Sequence, residues 1–376
     1  MFAAYGQLKY TQYTMKVLSI FGTRPEAIKM CPLVRKLEAE ADIESKVCLT
    51  GQHREMLRQV IDIFGVKVDY NLDIMRDKQS LFDLTGSVLS GLEDILTGEE
   101  PDIVLVHGDT TTSFTAALAA FYLKIPVGHV EAGLRTYNKY SPFPEEMNRT
   151  LTSRVADIHF APTELNRENL AREGITGNVY ITGNTVIDAV MAMAKKQDCL
   201  TANRTILVTA HRRENLGLPL EQICNAICRL AEEIPDIEFV YPVHPNPIVR
   251  EITGRLLGGR ERIHLMEPLD LEEMYNLMSR SYLVMTDSGG LQEEAPVFNV
   301  PVLVLRTETE RPEAVAAGTV KVVGVEENGI VSAVGNLLVN KEAYEEMAQA
   351  TNPYGDGRAS ERIVNHLLEW GRRRGR

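Results

Sequence analysis

The chain has 376 residues, of which 44% are hydrophobic and 24% charged, a composition typical of a globular protein with two domains. A net charge of -12 argues against nucleic acid or an anionic membrane as the main partner, and no apolar run reaches the roughly 18 residues of a membrane helix. The five cysteines show no zinc-ligand spacing. Without a secretory signal, their odd number favours a reduced, cytoplasmic protein.

Strand and helix signals alternate from the start of the chain. Residues 1–14 fit no element, and we interpret them as an extension before Met15. The apolar segment Lys16–Phe21 predicts a strand, and the helix after it begins near Pro25, where Thr23 can cap it. The remaining elements predicted in the first half are strands at 46–50, 102–107, 127–130 and 179–182, and helices at 54–64, 81–96, 112–122, 145–157 and 163–173.

A predicted helix from Thr185 to Lys196 leads into the polar stretch Gln197–Arg204, which we interpret as the boundary between two halves. The second half repeats the pattern, with strands at 205–209, 238–243, 263–265, 282–285, 301–305 and 320–323 and helices at 221–233, 248–256, 271–279, 330–339, 341–350 and 360–372. This alternation predicts an α/β protein with two doubly wound, Rossmann-like domains whose strand ends face a central cleft.

The segment from Thr286 to Ala295 carries the clearest binding signal. It contains two glycines, Gly289 and Gly290, where a strand gives way to a helix. Such a turn lets backbone N–H groups approach a phosphate or diphosphate, and Glu294, one turn on, can reach ribose hydroxyls. The alternative is an ordinary glycine turn, since short glycine motifs are weak signals. The turn after the first strand has a single glycine, Gly22, which disfavours a dinucleotide site.

Polar residues cluster where predicted strands end, the edge at which open α/β sheets bind ligands. They are Arg24, Lys29, Gln52, His53, Asp109, Glu131, Glu145, Glu146, Arg149, His211, Arg212, Arg213, His244, Arg311 and Glu313. Each has a simpler explanation: Asp109 as a helix cap, Glu131 as the partner of Arg135, His211 as a ring satisfied by a carbonyl. Their clustering favours acid/base chemistry on one half of a ligand and diphosphate binding on the other.

Ordered motifs along most of the chain resemble those of the non-hydrolysing UDP-N-acetylglucosamine 2-epimerases. The matching segments are FGTRPEAIKM (21–30), TGQHREML (50–57), VHGDTTT (106–112), GHVEAGLRT (128–136), SPFPEEMNR (141–149), ITGNTVID (181–188), TAHRREN (209–215), YPVHPNP (241–247), TDSGGLQEEAP (286–296), TERPEAVAAGT (309–319) and NPYGDGRAS (352–360). The resemblance implies a GT-B-like fold with domains at 15–184 and 185–360, and with the C-terminal helix 361–376 packing back on the first domain.

The resemblance also implies a reaction. Family members interconvert UDP-N-acetylglucosamine and UDP-N-acetylmannosamine by eliminating UDP to a 2-acetamidoglucal and adding it back, which supplies sugars for surface polysaccharides. On this basis the catalytic residues are Asp109, Glu131, Glu145 and His211, the last beside the diphosphate. The UDP- and sugar-binding residues are Arg24, Lys29, Arg149, Leu269, Met274, Ser288, Gly289, Gly290, Glu294 and Arg311.

Many bacterial members bind a second UDP-N-acetylglucosamine as an activator. The matching positions are Gln52, His53, Lys78, Gln79, Arg212 and His244, and Lys78 replaces a common arginine, which predicts weaker activation. The resemblance implies a homodimer without a metal or another cofactor. The alternatives are a hydrolysing relative that releases free N-acetylmannosamine, a GT-B glycosyltransferase, and a catalytically silent UDP-sugar sensor.

Overall fold

The computed structural model describes residues 14–51, 54–76, 79–194 and 203–374. The chain divides into two compact units, Met1–Thr185 with Arg358–Arg376, and Val186–Gly357. The division falls at Thr185, the first residue of the helix Thr185–Met193, and not in the polar stretch that follows this helix in the sequence. Within the described residues, no helix is long and apolar enough to cross a membrane.

The first unit is built on a parallel sheet of seven strands in the order β3-β2-β1-β4-β5-β6-β7. The strands are β1 (Met15–Phe21), β2 (Ile43–Leu49), β3 (Tyr70–Asn71), β4 (Ile103–His107), β5 (Val127–Val130), β6 (Ile158–Ala161) and β7 (Val179–Ile181). The helices are α1 (Arg24–Glu38), α2 (Arg54–Phe64), α3 (Leu81–Glu99), α4 (Thr111–Tyr122), α5 (Glu145–Val155) and α6 (Glu164–Arg172). Helix α7 (Thr185–Met193) begins at the unit boundary and belongs to the second unit from Val186 onward.

Central strands of this sheet are buried on both faces. Every residue of β4 is buried, as are all four of β5, which agrees with a parallel sheet covered by helices on both sides. The last helix of the chain, α15 (Ala359–Arg373), returns to this unit and packs against α1. Its buried side chains include Ile363, Leu367 and Trp370, so an amphipathic stripe attaches it.

The second unit has a six-stranded parallel sheet in the order β10-β9-β8-β11-β12-β13. The strands are β8 (Arg204–Thr209), β9 (Ile237–Pro242), β10 (Ile263–Met266), β11 (Leu283–Thr286), β12 (Val302–Val304) and β13 (Val320–Val322). The helices are α8 (Leu218–Glu233), α9 (Pro247–Leu257), α10 (Leu271–Arg280), α11 (Gly289–Glu294), α12 (Pro312–Ala317), α13 (Glu327–Val339) and α14 (Lys341–Ala348).

Both sheets reverse their strand order at one place, between β1 and β4 in the first unit and between β8 and β11 in the second. The predicted doubly wound α/β class is thereby confirmed. Loops diverge at such switch points and leave a crevice at the carboxyl ends of the strands. Asp109 follows β4, and Ser288 and Gly289 lie just after β11, so both units bring candidate residues to this position.

Candidate functional site

The turn between β1 and α1 is fixed by one buried carboxylate, Glu26. Its Oε2 accepts hydrogen bonds from Gly22 N at 3.1 Å and Thr23 N at 2.7 Å. Its Oε1 accepts from the hydroxyls of Thr110 at 2.8 Å and Ser113 at 3.0 Å. Thr23 caps α1 as predicted, in a capping box with Glu26. One side chain therefore joins the loops that follow two adjacent strands, β1 and β4.

Asp109 lies in the loop after β4. Its carboxylate accepts a hydrogen bond from Arg149 on α5, and its backbone carbonyl accepts one from the Asn148 amide at 3.0 Å. The cap of α4 is Thr110, whose hydroxyl accepts from Ser113 N. The simpler explanation of Asp109 as a helix cap is therefore wrong, and its carboxylate faces the candidate site instead.

The surroundings of Asp109 favour its neutral form. Burial raises the pKa of the Asp109 carboxyl, and the negative charge of Glu131 raises it further, while Arg149 and Lys29 act in the opposite direction. Glu145, at the start of α5, adds a smaller rise. A carboxyl with a raised pKa can supply a proton at neutral pH.

Glu131 follows β5 with a left-handed backbone, φ 62°. A non-glycine residue there is strained, and such strain is concentrated at functional sites. Its Oε2 pairs with Lys29 Nζ, accepts from Asn184 Nδ2 at 2.8 Å and lies 3.8 Å from Nε2 of His107. Arg135 pairs instead with Glu173, so the simpler explanation of Glu131 is also wrong.

The third carboxylate, Glu145, begins α5 next to Glu146. Glu146 is buried, and its carboxylate accepts from the backbone N–H groups of Thr136 and Tyr137 and pairs with Arg149 at 3.4 Å. Arg149 thus lies between Asp109 and Glu146. The partly exposed Glu145 stays available to a ligand, while Glu146 holds the loop that follows Glu131.

In the second unit, His211 follows β8 and stacks on His244, with ring centroids 4.8 Å apart and an interplanar angle of 8°. Nδ1 of His211 lies 3.7 Å from Oδ1 of the buried Asp287. Burial is the main cause that lowers the pKa of His211, the charge of Asp287 raises it, and His244 and Arg212 lower it.

The two glycines after β11 lie close to charged side chains. A Cβ at Gly289 would lie 3.8 Å from Nη2 of Arg311 and 3.9 Å from Nη2 of Arg212. A Cβ at Gly290 would lie 3.1 Å from Oε1 of Glu294. Arg311 is held by the buried Glu293. Two guanidinium groups at a glycine turn form a surface that favours an anion such as a diphosphate.

The remaining candidates have the following positions in the structure. Arg24 is the first residue of α1, Ser288 precedes α11, Leu269 precedes α10, Met274 lies within it, and the Gln79 amide donates to Ile74 O at 3.1 Å. Gln52, His53 and Lys78 lie outside the described residues. Among the described residues, no group of three or more histidine, cysteine, aspartate or glutamate side chains could hold a metal ion.

A family model described as UDP-N-acetylglucosamine 2-epimerase matches residues 35–368, most of the chain. The chain belongs to this family. A Bacillus subtilis UDP-N-acetylglucosamine 2-epimerase is 51% identical over 361 residues, which cover 94% of this chain and 95% of that protein. Its Escherichia coli counterpart is 52% identical over 369 residues, covering 94% and 98%. The chain is therefore an epimerase, an isomerase of nucleotide sugars.

The solved structures agree with this assignment. The crystal structure of UDP-GlcNAc 2-epimerase from Neisseria meningitidis bound to UDP-GlcNAc has a TM-score of 0.85 and 51% identity. It covers 94% of this chain, and all of that chain is matched. The resemblance read from the motifs and the GT-B-like fold that it implied are thereby confirmed.

Sequence reasoning missed several residues of the epimerase that hold the candidates in place. Glu26, Asn184, Asp287 and Glu293 are all buried and polar. Each lies within one of the family motifs, so the sequence showed its position but not the group that it contacts. The available signal was a short polar side chain or carboxylate beside a strand end, because a buried polar group must find a partner.

Proposed function

We propose that the enzyme interconverts UDP-N-acetylglucosamine and UDP-N-acetylmannosamine by elimination and re-addition of UDP. The hydrogen on C2 is barely acidic because no carbonyl adjoins that carbon. Removing it becomes feasible only when the electron pair can form a C1–C2 double bond and expel a leaving group. The observation that carries this proposal is the contrast between two neighbouring carboxylates, Asp109 beside Arg149 and Glu131 beside Lys29.

We assign the base to Glu131 in the direction from N-acetylglucosamine to N-acetylmannosamine. Lys29 and Asn184 stabilise its ionised form, whereas the raised pKa of Asp109 favours a protonated carboxyl. Glu131 takes the C2 proton, the C–H electrons form the double bond, and the bond from C1 to the phosphate oxygen breaks. UDP then returns to C1 as Asp109 delivers a proton to the opposite face of C2, and the reverse reaction exchanges the two roles.

The leaving group requires positive charge. Arg212 and Arg311 converge at Gly289, and a protonated His211 beside them would stabilise the departing UDP. Ser288, Gly290 and Glu294 line the same turn, where we propose that they hold the diphosphate and ribose, with Leu269 and Met274 near the uracil. In the first unit we propose that Arg24, Lys29, Arg149 and Glu145 contact the sugar side.

We further propose that a second UDP-N-acetylglucosamine activates the enzyme at Gln52, His53, Lys78, Gln79, Arg212 and His244. Support comes from His244, whose ring stacks on His211, so that a ligand at one histidine alters the surroundings of the other. A homodimer and a role in surface polysaccharide synthesis belong to the same proposal. If replacing Lys78 by arginine leaves the activation curve unchanged, our interpretation of Lys78 is wrong.

Proton NMR of the enzyme with UDP-N-acetylglucosamine in deuterated water tests the reaction. We expect UDP-N-acetylmannosamine to form with deuterium at C2, because the exchanged proton comes from solvent. Free N-acetylmannosamine with UDP would instead support the hydrolysing alternative. Binding without any change in the spectrum would contradict the proposal and favour a sensor or a glycosyltransferase that lacks its acceptor.

A further inference from the structure

Asp287 is a fully buried carboxylate whose two oxygens have different surroundings. Its Oδ2 accepts three hydrogen bonds, from His211 N at 2.7 Å, Arg212 N at 2.8 Å and Asn215 Nδ2 at 3.0 Å. Within the described part of the chain, Oδ1 has no hydrogen-bond partner, and it lies 3.7 Å from Nδ1 of His211. A buried carboxylate oxygen without a hydrogen-bond partner costs folding free energy, so the position of Oδ1 beside the imidazole of His211 requires an explanation.

We propose that Asp287 is a positioning residue that sets the tautomer and the charge of His211. Its Oδ2 fixes the backbone of the loop that carries the imidazole. Its Oδ1 then keeps the ring proton on Nδ1, which leaves Nε2 directed away from Asp287 and open to a ligand. The role of the charged ring in UDP departure rests on the function proposed above, whereas the pairing of the two side chains does not.

The groups around His211 have opposite effects on its pKa. Asp287 faces the ring from the loop after β11, His244 from the loop after β9, and Arg212 from the loop of His211 itself. Burial, His244 and Arg212 lower the pKa of His211, and Asp287 raises it. Asp287 thus opposes these effects and lets the half-buried imidazole beside Arg212 keep a proton when a diphosphate charge develops.

Histidine NMR of the full-length enzyme tests the pairing directly. Asp287→Asn removes the charge, yet the amide oxygen can still accept from the three N–H donors while its NH₂ faces Nδ1. We expect the pKa of His211 to fall further and the neutral ring to carry its proton on Nε2. The His244→Gln variant is the matched control: because His244 lowers the pKa of His211, its removal should raise that pKa. His211→Gln assigns the signal.

Turnover provides the second measurement. In Asp287→Asn we expect kcat to fall by about ten- to a hundredfold with KM little changed, since the protonated ring acts mainly as UDP departs. The alkaline limb of the kcat–pH profile should move to lower pH, because the ring then loses its proton earlier. An unaltered profile with an unaltered His211 titration would show that Asp287 only supports the loop, and the inference would fail.

A variant that does not fold leaves a test in the wild-type protein. The neutral form of His211 should carry its proton on Nδ1, and a proton on Nε2 would overturn the inference. Neither NMR measurement requires turnover. If the wild-type enzyme forms no UDP-N-acetylmannosamine, the proposed function fails, and the tautomer and titration of His211 still decide the role of Asp287.

Discussion

Two carboxylates in the first unit, Asp109 and Glu131, act on each other electrostatically and differ in their partners. Glu131 contacts a lysine and an amide, and Asp109 contacts one arginine that also pairs with Glu146. The positive φ of Glu131 turns its side chain back towards Lys29 at a conformational cost. Burial raises the pKa of Asp109, whereas Glu131 forms an ion pair with Lys29, so the two carboxylates have different electrostatic surroundings.

Replacing Asp109 by asparagine should lower kcat by about 10² to 10⁴, the usual contribution of a positioned acid or base. Stability should change little, because Arg149 retains its pairing with Glu146. Steady-state kinetics and urea unfolding measure the two effects. As a control, Asp236→Asn removes an exposed partner of Arg204 and should leave kcat at the wild-type value. Full activity in the Asp109 variant would exclude it from proton transfer.

Two buried histidines make stability depend on pH. Burial lowers the pKa of His107 from 6.5 to about 4 and that of His129 to about 3. As the pH falls below 6.5, these histidines become protonated in the unfolded chain but not in the folded one, so the free energy of unfolding decreases. The decrease ends near pH 4 for His107 and near pH 3 for His129, where the folded protein is protonated as well. Each histidine adds about 1.4 kcal/mol per pH unit to that slope.

The measurement is urea unfolding between pH 7 and 4.5. His129→Gln keeps a side-chain donor for the carbonyl of Gly108, which the Nε2 atom of His129 contacts at 2.7 Å, but it cannot titrate. We expect the variant to show the shallower decline, whatever its stability at pH 7. Equal slopes for the two proteins would mean that His129 takes up its proton in the folded state as readily as in the unfolded state.

The sequence predicted the chemical type and the strand-end position of Asp109, Glu131 and His211. It could not predict their partners, because Lys29 and Asn184 reach Glu131 from elements far away in the chain. Nor could it predict the left-handed backbone at Glu131, since nothing in the residue type marks a strained conformation that tertiary contacts impose.

The β1–α1 turn depends on the absence of a side chain at Gly22. A Cβ there would lie 1.9 Å from Oγ1 of Thr50, which is itself buried and hydrogen-bonded to Thr112. Gly22→Ala should therefore reduce the free energy of unfolding by about 1–3 kcal/mol, the cost of overpacking. The control is Gly86→Ala in α3, where nothing lies within 4 Å, and it should stabilise by about 0.5–1 kcal/mol.

The carboxylate that joins this turn to the next loop can be tested separately. Glu26→Gln replaces one carboxylate oxygen by an NH₂ group, so two of the four donors lose their acceptor, and the change should cost about 1–3 kcal/mol. It should also lower kcat, because Thr110 is next to Asp109. Glu38→Gln, at the other end of α1, removes only a pair with the exposed Arg35 and should cost less than about 1 kcal/mol. Equal losses would contradict a special role for Glu26.

Periodicity and apolar runs predicted most elements, and two short ones, β3 and α12, were missed. The two-residue β3 and the six-residue α12 contain too few residues for any hydrophobic period to appear. Strand β2 begins at Ile43, three residues before its predicted start, because exposed and half-buried Glu44 and Ser45 hide its alternation. The parallel order of both sheets followed from the alternation of strands and helices.

At the scale of the whole molecule, the second unit is a continuous segment with its own sheet and core. We expect residues 186–357 alone to fold and to bind UDP, since the proposed diphosphate turn lies entirely within them. Circular dichroism and calorimetric titration measure this. Arg212→Gln in the same fragment should weaken UDP binding by roughly tenfold. A folded fragment without affinity for UDP would assign the nucleotide contacts to the first unit.

The return of α15 to the first unit has a consequence for biosynthesis. The ribosome makes β1 and α1 early, but the helix that covers part of α1 is made only after the whole second unit. The first unit is therefore completed last, and the apolar surface that α15 covers stays exposed while the second unit is synthesised. Trp370, the one tryptophan of the sequence, lies buried in that helix, so its fluorescence reports when α15 packs on the first unit.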